Sequence, residues 1–303
     1  MTTTDGPLND TVLRLADGRA LAYTEWGDAS GSPVFFVHGS PHSRIWCPDE
    51  EATARAGVRL IIADRPGFGR SDPQLGHTLV DWAADVEELA DALGLDRFGV
   101  VGWSAGGIYV AACAATIPER VTAAGIVSNR TMAVYNLGER PQALDELDEE
   151  ARHVFELVLE FGLEEAAKRH AAEEEAFVRG LFEEPERILE GHEVPNGDKW
   201  FYADPKRAQP WFDAVREAVR QGALGWSCEE AALMAPWNFR LADIAMPVHI
   251  WYGEQELPAY RDAAEFAAET IPDARVTGWP DAGHRGVAKY WREILEALPR
   301  RAR

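Results

Sequence analysis

The sequence predicts an α/β protein: a parallel sheet covered by helices on both faces and interrupted by a long helical insertion. Three observations lead there. Short, wholly apolar runs recur with helical patterns between them, as strands buried on both faces require. That alternation stops after Ile126-Val-Ser128 and resumes at Val248, with helical sequence between. The length, 303 residues with 46% hydrophobic and 27% charged, suits one large domain carrying an inserted subdomain.

The chain opens with two apolar runs, Val12 to Leu15 and Ala20 to Thr24, and Asp17-Gly18 between them signals a hairpin. Val34-Phe-Phe-Val37, Leu60-Ile-Ile-Ala63 and Phe98-Gly-Val-Val101 follow as buried strands. Thr78-Leu-Val-Asp81 reads as a helix N-terminus, where hydroxyl and carboxylate satisfy free amides. Trp82, Val86, Leu89 and Leu93 then recur at helical spacing up to Gly94. Within the insertion, Val154, Leu157, Val158 and Phe161 form one apolar stripe, and Pro, Gly and aromatic residues crowd the stretch from His192 to Trp237. Strand patterns return at Val248 to Tyr252 and Arg275 to Gly278, and a final helix is expected from Val287 to Leu298. The expected division is a core of residues 1–130 and 241–303 with a helical cap, 131–240, over the strand ends.

The strongest chemical signal is Gly102-Trp103-Ser104-Ala105-Gly106, set between an apolar strand and a helix beginning at Ile108. A serine on so sharp a corner adopts strained backbone angles, and small neighbours let strand and helix approach. Its hydroxyl then stands at a helix N-terminus, where amides favour developing negative charge. An ordinary tight turn is the alternative, and the strand–turn–helix context argues against it.

Four segments together make the chain resemble the α/β-hydrolase superfamily from about residue 11 onward. They are His38-Gly39-Ser40-Pro41, Asp64 to Asp72, the corner around Ser104, and Asp281-Ala-Gly-His284. The resemblance implies a mostly parallel eight-stranded sheet with a variable cap and a triad in the order Ser, acid, His. It makes Ser104 the nucleophile and His284 the base, which takes the Ser104 proton and returns it to the leaving group. It assigns the oxyanion hole to the backbone amides of Ser40 and Ala105, and implies a cis peptide at Ser40–Pro41. His38 is then an orienting or packing residue. Related chains often carry glycine at position 42, so His42 is either an exposed loop residue or one that reaches the pocket mouth.

The acid departs from the family pattern, which is Gly-x-x-Asp after the seventh strand. Here Gly253-Glu254-Gln255-Glu256-Leu257-Pro258 puts Glu256 at that place in a shortened loop. Glu254 competes with it, and the end of the sixth strand offers only Ser128-Asn129. Asp281 reads as structural, and Asp64 to Asp72 as a loop shaped by Gly67 and Gly69 below the cap.

Trp200, Phe201, Tyr202, Trp211, Phe212 and Trp226, with Trp237 and Phe239, are either the cap's core or the walls of an aromatic pocket. The expected activity is therefore cofactor-free hydrolysis of an ester or related acyl bond in a small apolar or aromatic molecule, through an acyl-enzyme. A C–C bond hydrolase, an amidase or an acyltransferase would use the same triad. A ligand-binding member of the fold without turnover is the rival from another class. Serine at 104 argues against the carboxylate-nucleophile chemistries of this fold.

No cofactor is expected and no metal: His, Cys and carboxylates show no ligand spacing, and no Lys-Ser/Thr follows the glycines at Ser104. Cys47, Cys113 and Cys228 are too widely spaced for a disulfide framework. The net charge of −21, from 30 basic and 51 acidic residues, repels nucleic acid and anionic membranes. The partner expected is a small-molecule substrate, with a homo-oligomer left open. Residues 139–190 hold 17 acids and 6 bases, as a solvated helical face or as a docking surface. The N-terminus, Met1-Thr-Thr-Thr-Asp-Gly, lacks the basic start and apolar run of a secretory signal, so a cytoplasmic location is expected.

Overall fold

The computed structural model describes residues 6–191 and 193–298. The residues read for a leader, 1–5, and His192 lie outside the described residues. Eight strands form one sheet: β1 (Asn9–Arg14), β2 (Ala20–Gly27), β3 (Ser32–Val37), β4 (Val58–Ala63), β5 (Phe98–Trp103), β6 (Val121–Val127), β7 (Val248–Gly253) and β8 (Ala274–Trp279). Their spatial order is β1-β2-β4-β3-β5-β6-β7-β8. β1 and β2 pair antiparallel, β2 meets β4 antiparallel, and every later pairing is parallel. The hairpin turns at Gly18 with φ of 92°, in the left-handed region that glycine occupies without steric cost.

The period-two alternation of strand side chains divides the apolar runs between two cores. Phe35, Val37, Ile61 and Val100 face one core, closed by the helices Leu79–Ala92, Gly106–Thr116 and Pro258–Thr270. Val34, Phe36, Leu60 and Val101 face the other, closed by Glu50–Arg55 and Trp291–Ala297. The helix Leu79–Ala92 begins where the Asp81 carboxylate accepts from the Thr78 amide at 2.6 Å. It buries Trp82, Val86 and Leu89, and Gly94 follows it at φ of 68°.

The C-terminus is a correction. The single helix expected from Val287 to Leu298 is two, Gly286–Lys289 and Trp291–Ala297, broken at Tyr290. The Tyr290 ring stacks on Trp279 at 4.6 Å and its hydroxyl donates to Asp281, which pulls this turn out of helical register.

Between β6 and β7 the described residues form helices, among them Glu149–Glu183, Pro205–Ala218 and Leu224–Met234. The first of these kinks at Gly162, with φ of 74°, directly after the stripe that ends at Phe161. Gly67 of the Asp64–Asp72 loop meets this segment so closely that a Cβ there would lie 2.5 Å from Gly225 Cα. No helix among the described residues is long and apolar enough to cross a membrane.

Candidate active site

The loops after β3, β5, β6, β7 and β8 meet at the C-terminal ends of the parallel strands, where open α/β sheets form their crevice. Ser104 stands on the corner between β5 and the helix Gly106–Thr116 with φ of 55°, a conformation that is strained for a residue bearing a Cβ. The flanking sequence explains how the corner closes. A Cβ at Gly102 would lie 2.2 Å from Gly106 O, and one at Gly106 would lie 2.2 Å from Val37 O. The corner is tied to β6: Ser104 N donates to Val127 O at 2.9 Å, and Asn129 Nδ2 donates to Ser104 O at 2.7 Å.

His284 follows β8. Its Nδ1 lies 2.6 Å from Glu256 Oε1, and Trp103 Nε1 donates to its carbonyl at 3.0 Å. The Glu256 side chain is 2% exposed, and its Oε2 accepts from Ser128 Oγ at 3.0 Å and Gly253 N at 2.8 Å. Both oxygens are thus engaged, which fixes the carboxylate against the imidazole. Glu254 is exposed, with its backbone amide bonded to Trp279 O, and stands outside this arrangement. Asp281 accepts from Lys289 Nζ at 2.7 Å and from Tyr290, and so pins the loop that carries His284.

Ser40, Ser104, Ala105, Glu256 and His284 all line one cavity of about 950 Å³. Ser40–Pro41 is a cis peptide. The loop before it is held by Arg65, whose guanidinium donates to Gly39 O at 3.1 Å and to His38 O, while its Nε meets Glu229 Oε1 at 2.7 Å. His38 and His42 are buried, and burial with nearby arginine charge holds both imidazoles well below their usual pKa, hence neutral.

For His42 neither sequence expectation holds. It is neither exposed nor at the pocket mouth but 1% exposed, packed among Trp46, Trp103 and Trp211 with ring centroids 5.1–5.7 Å away. The three tryptophans supply more apolar contact than the loop position suggested.

The cavity's other walls come from the insertion and are mixed in character. Of the eight aromatic residues singled out above, Tyr202 and Trp226 line it, joined by Phe177, while Phe201, Trp211 and Phe212 pack into a core. Trp237 lies in the core beneath the sheet and Phe239 packs against it. From the acidic segment, Asp148, Glu150, Glu174 and Glu190 reach the cavity, and Glu230 joins them. Burial pushes the Glu230 carboxyl up to about 8, and Trp226 Nε1 donates to it at 3.2 Å. These carboxylates add a polarity to the wall that an apolar or aromatic substrate alone does not account for.

Two further groups escaped the sequence reading. Asp198 of the insertion is 2% exposed, and its Oδ1 accepts from the backbone amides of Gly283 (3.1 Å) and Arg285 (3.0 Å), so it clamps the histidine loop from the opposite side. Arg65–Glu229 joins the loop after β4 to the helix Leu224–Met234. Among the described residues no group of three or more His, Cys, Asp or Glu is arranged to hold a metal ion.

Residues 32–288 match the family model of the α/β-hydrolase fold. A non-heme chloroperoxidase of Streptomyces lividans is 30% identical over 290 residues, covering 94% of this chain and 96% of the relative. A bifunctional esterase/perhydrolase of Acinetobacter calcoaceticus is 33% identical over 279 residues, covering 88% and 90%. Among solved structures, a probable hydrolytic enzyme of Pseudomonas aeruginosa superposes with a TM-score of 0.67 at 18% identity, covering 97% of this chain and 95% of the other. With its eight-stranded sheet and these relatives, the chain belongs to the α/β-hydrolase family and is an enzyme of that family.

Proposed function

We propose that the chain is a serine hydrolase that cleaves an ester or related acyl bond of a small molecule through an acyl-enzyme, without a cofactor. The observation that carries the reading is the contact between Glu256 Oε1 and His284 Nδ1, in the cavity that also exposes the strained Ser104. With Nδ1 protonated and bonded to the carboxylate, Nε2 of His284 is left as the acceptor for the Ser104 proton. Ser104 Oγ attacks the acyl carbon, and the Ser40 and Ala105 amides hold the oxyanion. His284 then protonates the leaving group. Water, activated by the same imidazole, releases the acid and restores Ser104. Glu256 stabilises the imidazolium that exists between these transfers.

Residues 131–240 act in this reading as the cap, and 1–130 with 241–303 as the core that carries the catalytic groups. The cap contributes the aromatic and carboxylate walls, so it sets which acyl compounds fit. The enzyme relatives argue against a binding role without turnover. Hydrolysis of p-nitrophenyl esters tests the proposal: turnover that disappears in both Ser104→Ala and His284→Ala supports it. Turnover that survives either substitution undiminished contradicts it.

A further inference from the structure

Three arginines are nine-tenths or more buried among the described residues: Arg44, Arg65 and Arg285. Two of them are neutralised in place. Arg44 pairs with Asp64 at 2.8 Å, and Arg65 pairs with Glu229 at 2.7 Å. Arg285, 6% exposed and next in sequence to His284, makes no ion pair among the described residues. Its Nε donates to Tyr202 Oη at 2.7 Å, while its Nη1 has no hydrogen-bond partner. Asp198, close enough to sense its charge, bonds instead to the backbone amides of Gly283 and Arg285.

The surroundings of this guanidinium are aromatic. Its Cζ lies 4.0 Å from the Trp211 ring centroid, 4.8 Å from Trp103 and 5.4 Å from Tyr202. Ring faces attract a cation but accept no strong hydrogen bonds, so the cage holds the guanidinium without satisfying its donors. Trp211 Nε1, in the ring stacked on Arg285, is also buried without a partner. A buried guanidinium donor left unsatisfied is costly unless something accepts from it. Arg285 lines the same cavity as Ser104 and His284, so that acceptor can arrive from the cavity.

We propose that Arg285, its guanidinium held by the rings of Trp103, Tyr202 and Trp211, is a substrate-binding residue that receives a carboxylate of the substrate beside the reacting ester. A planar guanidinium matches a carboxylate, and burial strengthens the contact relative to water. Tyr202, with Phe177 and Trp226, lines the same cavity and offers apolar surface for the rest of the molecule. Two other arginines line this cavity, but Arg130 lies 4.0 Å from Asp148 and Arg187 lies 3.3 Å from Glu190, so Arg285 is the lining arginine without an ion pair among the described residues. The inference rests on reading this cavity as the substrate site.

The test compares phenylacetate with phenylacetamide, a neutral molecule of the same shape, by calorimetric titration of the full chain carrying Ser104→Ala, so that no turnover interferes. A charge-assisted hydrogen bond is expected to make the carboxylate bind about 10- to 100-fold tighter. Arg285→Gln in that background should bring the two affinities together, and Arg285→Lys, which keeps the charge, should retain part of the difference. Equal affinities in the Ser104→Ala chain overturn the proposal without any use of the Arg285 variants. A carboxylate preference that persists in folded Arg285→Gln overturns it too. Fluorophosphonate labelling of Ser104 in the unsubstituted chain separates the two readings: labelling with equal affinities rejects the Arg285 site alone, and no labelling rejects the hydrolase itself.

Discussion

Glu256→Gln changes one oxygen to an amide nitrogen in a site where every partner is known. In the native arrangement Oε2 accepts from Ser128 Oγ and Gly253 N, and Oε1 faces His284 Nδ1 at 2.6 Å. The glutamine has one accepting oxygen. Two donors at the Oε2 position outbid one at Oε1, so the carbonyl oxygen settles against Ser128 and Gly253 and the NH₂ turns to Nδ1. The imidazole must then present its lone pair there and carry its proton on Nε2, the atom that accepts from Ser104 in the proposed mechanism. The side chain keeps its size and burial, yet the base is in the wrong tautomer and its protonated form has lost its counter-charge. The comparable acid-to-amide change in the Ser-His-Asp template costs about 10⁴ in kcat, equivalent to ~5.5 kcal/mol of barrier. The assay is steady-state hydrolysis of p-nitrophenyl butyrate, with a thermal melt showing that the variant is folded. Retention of more than roughly a tenth of wild-type kcat, in place of that template loss, would refute the tautomer argument.

Three other substitutions follow from the same structure. Gly106→Ala would put a methyl group 2.2 Å from Val37 O, so urea denaturation should show a loss of ~1–3 kcal/mol as β3 and the corner are forced apart. Asp64→Ala orphans the amides of Arg44 and Arg70 and leaves the Arg44 guanidinium to Asp10 and Glu217 alone, so denaturation should show a loss of ~2–4 kcal/mol, and unaltered stability would contradict it. Burial lifts the Glu230 carboxyl from 4.5 to about 8, so between those values the folded chain holds a proton that the unfolded chain has released. Stability therefore falls as pH rises through that window, on the order of 1 kcal/mol per unit from this group. Glu230→Gln should flatten the profile between pH 5 and 8 in urea melts, and an unchanged slope would show that the carboxyl is not protonated there.

What the sequence displays is what local pattern encodes. The central strands are legible because a four-residue apolar run such as Val34–Val37 is buried on both faces, and the corner at Ser104 because only glycine fits at 102 and 106. Glu256 is legible from its offset after β7, and its contact with His284 bridges 28 residues of sequence. Asp198 and Glu229 leave no such trace. Their partners are 85 and 164 residues away, and neither sits in a recurring motif. His42 misleads in the other direction, since a polar loop residue next to proline suggests exposure until three tryptophans from separate segments enclose it. The acidic run is ambiguous for a geometric reason: the kinked helix Glu149–Glu183 sends some carboxylates to solvent and Glu150 and Glu174 to the cavity.

The proposed hydrolysis depends on an activated hydroxyl at position 104, and covalent labelling reads that activation directly. A fluorophosphonate, whose phosphorus mimics the tetrahedral acyl centre, should add to the folded chain once. Digestion and mass spectrometry should place the adduct on the peptide containing Ser104, with none formed in Ser104→Ala or His284→Ala. An unmodified chain, or an adduct that persists when Ser104 is replaced, would contradict it.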